Sequence, residues 1–338
     1  MPSLYDVAEL AGVSKTLVSR TVNGQAGVSE KSRQKILAAM AELQYTPNQL
    51  ARSLVLKKTR TIGVVMDTLC EPYFFPMIGG IEKEADRIGY DVVFSSGRNS
   101  APLKSRAIQY FSQGRTDGVL LYGSNLDDER LIEELAGTSF PFVVVENTFP
   151  GLDINNVIVD NAFGSRLAVD YLFRCGCRHI YHVSGDMRHK VSLERRDGYI
   201  TQMQAHGVAV NSNMIINADF SVEVSYLAVR DWLSTGRALP DAFYCGSDNT
   251  AYGAMMALQD AGFQVPEDVM LMGFDDDQPP RTGRPLKPLT TLSQPLEQMG
   301  ISALNILVED LERKASGRQQ VVFYPELIVR ETTQKKSG

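Results

Sequence analysis

LYDVAELAGVSKTLVSRTVN, residues 4–23, decides how the rest of the chain is read. Leu4, Val7, Ala8 and Ala11 fall at i, i+3, i+4 and i+7, one apolar face of a helix. Gly12 ends that helix, because glycine enters the left-handed turn conformation without steric cost. Ser14 is placed to cap a second helix over 15–23 with its hydroxyl. Val13, Val18 and Val22 dock the second helix on the first, leaving Lys15, Thr16, Ser19 and Arg20 to point outward. The pattern predicts a helix-turn-helix whose second helix enters a DNA groove. An ordinary helical hairpin with a polar outer face fits the spacing equally well.

Charge separates the two readings. Residues 1–60 carry nine basic side chains (Lys15, Arg20, Lys31, Arg33, Lys35, Arg52, Lys57, Lys58, Arg60) and four acids (Asp6, Glu9, Glu30, Glu42), a balance of +5. The remaining residues hold 25 basic and 36 acidic groups, a balance of −11 within a total of −6. A basic head on an acidic body places the polyanion-binding surface at the head.

Two further stretches, VSEKSRQKILAAMAEL and YTPNQLARSL, complete a pattern that resembles the DNA-binding headpiece of the lactose-repressor (LacI/GalR) family. A third helix is expected over 30–44, capped by Ser29 and striped by Ile36, Leu37, Met40 and Leu43. The residue before Pro47 avoids helical angles, which ends it. Asn48 then caps a short segment over 49–56 that is too brief to be stable alone in water. The resemblance implies a hinge helix that orders on operator DNA, pairs with its dimer mate and drives Leu54 into the minor groove, a way of kinking DNA. The residues expected at DNA are Tyr5, Ser14, Lys15, Thr16, Ser19, Arg20, Asn23, Asn48, Arg52 and Leu54. One departure from the family pattern is Leu17, where a threonine is common.

From Thr61 strands and helices alternate. Strands are expected over 61–66, 90–95, 118–122, 142–146 and 156–160, and again over 180–184, 214–216, 242–245 and 269–274, with helices between them. Such alternation implies α/β architecture with doubly wound parallel sheets, and its restart after residue 160 implies two similar lobes around a cleft. A helix over 296–311 and a closing strand over 320–329 follow. The expected organisation is therefore a head (1–46), a hinge helix and linker (47–60), a two-lobed periplasmic-binding-protein-like body (61–332) and a tail (333–338). The first lobe takes about 61–159 and 291–318, the second about 160–290 and 319–332.

Ligands in open α/β sheets sit beyond the carboxyl ends of the strands. Residues there include Asp67, Tyr73 and Phe74, then Glu146, then Asp160, then Ser247 and Asp248, then Asp275. Carboxylates, amides and aromatic faces suit a polyhydroxylated ligand. The resemblance adds Arg195, from an Arg-x-x-Gly stretch whose arginine grips the effector, together with Phe220 and Gln294. It also notes Ser247 where asparagine is frequent.

No GxGxxG after a strand, GxSxG, P-loop or HExxH occurs, so the common enzyme motifs are absent. Cys70, Cys175, Cys177 and Cys245 are scattered, and the four histidines show no ligand spacing, so neither metal nor cofactor is expected. No apolar run reaches the ~18 residues of a membrane span, and MPSLYDVAEL has no signal-peptide pattern. A periplasmic sugar-binding protein would share the body, but not the basic head. The expectation is a cytoplasmic transcriptional regulator, a repressor by resemblance, that binds double-stranded operator DNA as a homodimer. A small carbohydrate-like effector would control it.

Overall fold

The computed structural model describes residues 2–22, 25–45, 58–123, 125–149, 151–312 and 317–334. Asn23 and the expected hinge segment with Asn48, Arg52 and Leu54 lie outside them. The chain divides into two compact units, Met1–Arg60 and Thr61–Gly338.

The first unit has three helices, α1 (Leu4–Ala11), α2 (Lys15–Val22) and α3 (Glu30–Glu42). Ser3 and Asp6 form a reciprocal capping box at the start of α1, and Gly12 ends it with φ of 63°. Ser14 caps α2, its Oγ accepting from the Leu17 N–H at 3.2 Å. Val7, Ala8, Ala11, Val18, Ile36 and Ala39 form the core, with Leu17 and Met40 packed against it. Ile36 is fully buried, and emptying its site costs about 2–5 kcal/mol. The expected stripe on α3 needs one correction: Leu37 is 52% exposed and Ala39 takes the inward place. Ile36, Ala39, Met40 and Leu43 keep the helical period, whereas Leu37 lies one step round the helix.

The second unit contains two parallel sheets. The first has six strands in the order β11-β5-β4-β3-β1-β2, the second four in the order β7-β6-β8-β9. They comprise β1 (Thr61–Met66), β2 (Asp91–Ser96), β3 (Gly118–Tyr122), β4 (Phe142–Val145), β5 (Asn156–Val159), β6 (Ile180–Val183), β7 (Ile215–Ile216), β8 (Ala242–Cys245), β9 (Met270–Met272) and β11 (Gln320–Phe323). β10 (Thr291–Ser293) and β12 (Glu326–Ile328) pair antiparallel between them.

The central strands β1, β3, β4 and β8 are covered on both faces and buried along almost their whole length, whereas the edge strands β2 and β11 alternate with exposed positions. In β1, Ile62, Val64 and Met66 pack beneath the helices Phe75–Ile88 and Leu296–Leu311, while Val65 belongs to the cluster on the other face. In β8, Phe243 and Cys245 join one cluster and Ala242 and Tyr244 the other. His182 is a core histidine, stacked between Tyr199 and Tyr244 with Nδ1 3.0 Å from the Tyr244 carbonyl.

The tail differs from expectation. The single strand expected over 320–329 is two, because Pro325 has no N–H to continue a ladder. Its first half pairs with β5 and so extends the first sheet, which corrects the expectation that 319–332 belongs wholly to the second lobe. β10, only three residues long, had no pattern of its own.

Candidate functional site

In the head, Tyr5, Ser14, Lys15, Thr16 and Arg20 are exposed and Ser19 is half-buried. The Lys15 ammonium sits 4.5 Å from the centre of the Tyr5 ring, so the start of α2 and the start of α1 share one basic, aromatic surface. Leu17 packs inward on the core, which accounts for its apolar character there. The Thr21 hydroxyl is turned back onto the Leu17 carbonyl at 2.9 Å.

The body's site lies between the two sheets. A cavity of about 700 Å3, counting its open mouth, is walled by residues of both lobes. Of the residues expected there, Asp67, Tyr73, Phe74, Glu146, Arg195, Phe220, Ser247 and Asp275 line it.

Arg195 is placed by the helix Lys190–Ala205, which approaches the helix Asn161–Arg174 closely at Gly198. A Cβ at Gly198 would stand 2.5 Å from the Ala162 carbonyl oxygen, so the Arg-x-x-Gly spacing has a packing reason. Arg195 is 2% exposed. Its Nη1 donates to the Gly246 carbonyl at 2.7 Å and to Asp275 Oδ1 at 3.0 Å, and its Nε donates to Asn161 Oδ1 at 2.9 Å. The guanidinium also lies 3.7 Å from the centre of the Phe274 ring.

From Asp275 the network crosses to the first lobe. Gln294 Nε2 donates to Asp275 Oδ1 at 2.7 Å and to the Tyr73 hydroxyl at 3.0 Å. Tyr73, Phe74 and Tyr122 meet edge to face, and Phe220 meets His189 likewise on the opposite wall. Flat apolar faces therefore stand on both sides of the polar chain.

Two strand ends carry unusual backbone. Glu146 has φ of 70°, Asp275 113° and Asp276 62°, values that cost about 1–3 kcal/mol each in a residue with a side chain. Burial pushes the Asp275 carboxyl up to about 6 against the pull of Arg195, and pushes Glu146 up to about 8 against the same charge. The Glu146 Oε1 is buried without a hydrogen-bond partner.

Three expected contacts fall elsewhere. Asp160 caps the helix Asn161–Arg174 by accepting from the Phe163 N–H at 2.7 Å. Asp248 is buried behind the wall, accepting from the Thr291 hydroxyl at 2.6 Å and the Asp277 N–H at 2.8 Å. Gln294 stands behind Tyr73 and Asp275 rather than at the surface. Residues just past a strand are as readily helix caps as ligand contacts, and sequence does not separate the two. The wall also includes Glu71, Asn99, Tyr122, His189, Asn249 and Asp277. His189 carried no signal, since its place at the wall depends on a contact between lobes: Asn125 and His189 form a β-bridge, and the Leu126 N–H donates to the Arg188 carbonyl at 2.9 Å. Lys190 adds hydrogen bonds to the carbonyl and hydroxyl of Thr148.

Beneath the wall, Lys104 is completely buried, its Nζ 2.5 Å from both Asp67 Oδ1 and Asp128 Oδ2. Among the described residues no cluster of three His, Cys, Asp or Glu suits a metal ion. Nor is any described helix long and apolar enough to cross a membrane.

These features define a protein of two modules, a helix-turn-helix unit with an exposed basic surface and a two-lobed binding-protein-like body. Comparison with known proteins agrees module by module. Residues 3–48 match the family described as bacterial regulatory proteins, lacI family, and residues 169–333 match the periplasmic binding protein-like domain. The ribose operon repressor of Haemophilus influenzae is 30% identical over 332 residues, 98% of each chain. The HTH-type transcriptional repressor PurR of Erwinia tasmaniensis is 31% identical over 331 residues, 98% of this chain and 96% of that one. Among solved structures, the Lac repressor dimer bound to operator and the anti-inducer ONPF matches with a TM-score of 0.88 at 28% identity, over 99% of both chains. The CelR–cellobiose complex matches at 0.74 and 29% identity, over 98% of this chain and all of that one.

The chain belongs to the LacI family. It is a DNA-binding transcriptional regulator and not an enzyme, as its relatives are transcriptional repressors.

Proposed function

We propose that this repressor acts as a cytoplasmic homodimer on a palindromic operator and is controlled by a small carbohydrate effector held in the cleft of the body. On DNA, Lys15 and Thr16 at the start of α2 and Arg20 on its last turn read base edges, while Tyr5, Ser14, Ser19 and Asn23 contact the backbone around them. By resemblance, Asn48, Arg52 and Leu54 serve the hinge. The name of the Lac repressor dimer supports the two-fold assembly, as does the apolar surface of Val93, Leu103 and Tyr110 beside the edge strand β2.

The observation that carries the effector reading is the Arg195–Asp275–Gln294–Tyr73 chain, which runs from one lobe to the other along the cavity. A ligand that engages both ends binds the closed lobes better than the open ones, and only such differential affinity shifts a conformational equilibrium. The aromatic walls and hydroxyl-matching carboxylates favour a sugar.

Selection of bound sequences from random duplex DNA tests the first half, and is expected to return a two-fold symmetric consensus. Fluorescence anisotropy on that sequence, with and without sugars such as ribose and cellobiose, tests the second. A non-symmetric or absent consensus counts against the dimeric operator. Sugars that bind the protein yet leave DNA affinity unchanged count against effector control.

A further inference from the structure

The cavity wall is charged unevenly. Among the described residues five carboxyl groups line it, Asp67, Glu71, Glu146, Asp275 and Asp277, facing the guanidinium of Arg195. Asp67 is paired with Lys104 and Asp275 with Arg195. Lys104 brings no surplus of positive charge, because Asp128 shares it. Among the described residues no salt bridge reaches Glu71, Glu146 or Asp277.

Glu146 shows what the wall lacks. Its Oε1 is buried in the cavity wall with no partner, on a backbone held at φ of 70°. A buried polar atom left unmet is unfavourable, so a ligand group that satisfies it gains affinity. Burial keeps its carboxyl protonated near neutral pH, and a hydroxyl can meet it as either donor or acceptor. At the mouth, partial desolvation and then Asp277 and Asp67 hold the Glu71 carboxyl above its usual range, a sign that negative charge is already crowded there. The helix Asp248–Asp260, which also starts at the wall, offers an anion little. Ser247 already caps it by accepting from the Thr250 N–H, and the buried Asp248 side chain occupies its first turn.

We propose that the cleft takes an uncharged, polyhydroxylated ligand and rejects its phosphate ester, so that the regulator reports on the free sugar. This rests on the reading of the cleft as the effector site and goes further by fixing the ligand's charge class. A phosphate adds close to two negative charges beside carboxylates that have no cation to spare, in a partly desolvated site where such repulsion is weakly screened. The sugar reported on would then come from hydrolysis of a glycoside or from uptake without phosphorylation, and a kinase would act after it.

The test uses the full-length protein at pH 7 with matched pairs: ribose against ribose 5-phosphate, and cellobiose against cellobiose 6-phosphate. Thermal shift screens the pairs and calorimetry measures affinity. The parent sugar of at least one pair is expected to raise the melting temperature, and its ester to bind about tenfold more weakly or worse. In a Glu71→Gln/Asp277→Asn variant the difference between parent and ester is expected to narrow. Retained operator binding in anisotropy confirms that the variant is folded. An ester that binds as tightly as its parent, or a difference unchanged in the variant, overturns the charge proposal and leaves the effector reading standing. Failure of both members of every pair overturns the effector reading, and the proposal falls with it.

Discussion

Arg195 Nη1 and Asp275 Oδ1 lie 3.0 Å apart although 80 positions separate them in sequence, and both line the cavity. Arg195 is 2% exposed, so its charge is answered inside the protein and presented to the cavity in a fixed place. The pair has two jobs, one in stability and one in ligand binding, and they separate experimentally. Arg195→Ala leaves the largely buried Asp275 without its cation and should cost about 2–4 kcal/mol in urea unfolding, a little under the cost of breaking a fully buried pair. Calorimetry on the same variant should show effector binding lost. Undiminished effector binding would remove Arg195 from the site.

Glu146 predicts a pH signature. Its carboxyl is pushed up to about 8 in the folded protein from an ordinary 4.5. The folded state therefore holds a proton that the unfolded chain has already released. Stability from this group is fully present below about 4.5 and is lost as pH rises through about 8. Glu146→Gln keeps the shape and removes the titration. The variant's melting temperature should gain on the wild type between pH 5 and pH 8 and level off above that. A gap that stays constant across that range would mean Glu146 is not held protonated.

Lys104 is held between Asp67, which lines the cavity, and Asp128, and the three form a buried unit. Lys104→Met leaves two carboxylates facing each other out of water and should cost about 3–5 kcal/mol. Adding Asp67→Asn and Asp128→Asn should recover most of that loss, because no charge is then buried unpaired. Chemical denaturation of the single and triple variants decides the matter; equal stabilities would show that the triad is energetically silent.

The framework of this fold was readable where one rule acted alone. β1, β3 and β8 begin and end where their apolar runs do, because strands covered on both faces leave no polar positions to blur the edges. Gly12 and Ser14 likewise act within a few residues of chain. Reading weakened where distant segments meet. A lysine in an amphipathic helix reads as solvent-facing, and nothing near Lys104 announces that Asp67 and Asp128 will enclose it. His189 reaches the cavity wall through a bridge to Asn125 in the other lobe. Asp160, Asp248 and Glu146 all follow or flank strand ends, yet one caps a helix, one braces a loop and one lines the cavity. Only the packing around them assigns the difference.

Arg20 is exposed on the last turn of α2. A guanidinium that donates twice to a guanine edge discriminates by about 1–3 kcal/mol. Arg20→Ala should weaken binding to the selected operator by that amount while changing affinity for random duplex far less. Equal losses on both DNAs would reduce Arg20 to a phosphate contact.

Occupancy of the cleft is expected to control DNA binding by the head, and operator anisotropy reads that coupling in one experiment. The full-length protein is titrated onto its selected operator with and without a sugar shown by calorimetry to bind. Operator affinity is expected to change about 5–150-fold at saturating sugar, in either direction, and not at all in the Arg195→Ala protein. Identical operator affinity in the sugar-saturated and sugar-free wild type would contradict that coupling.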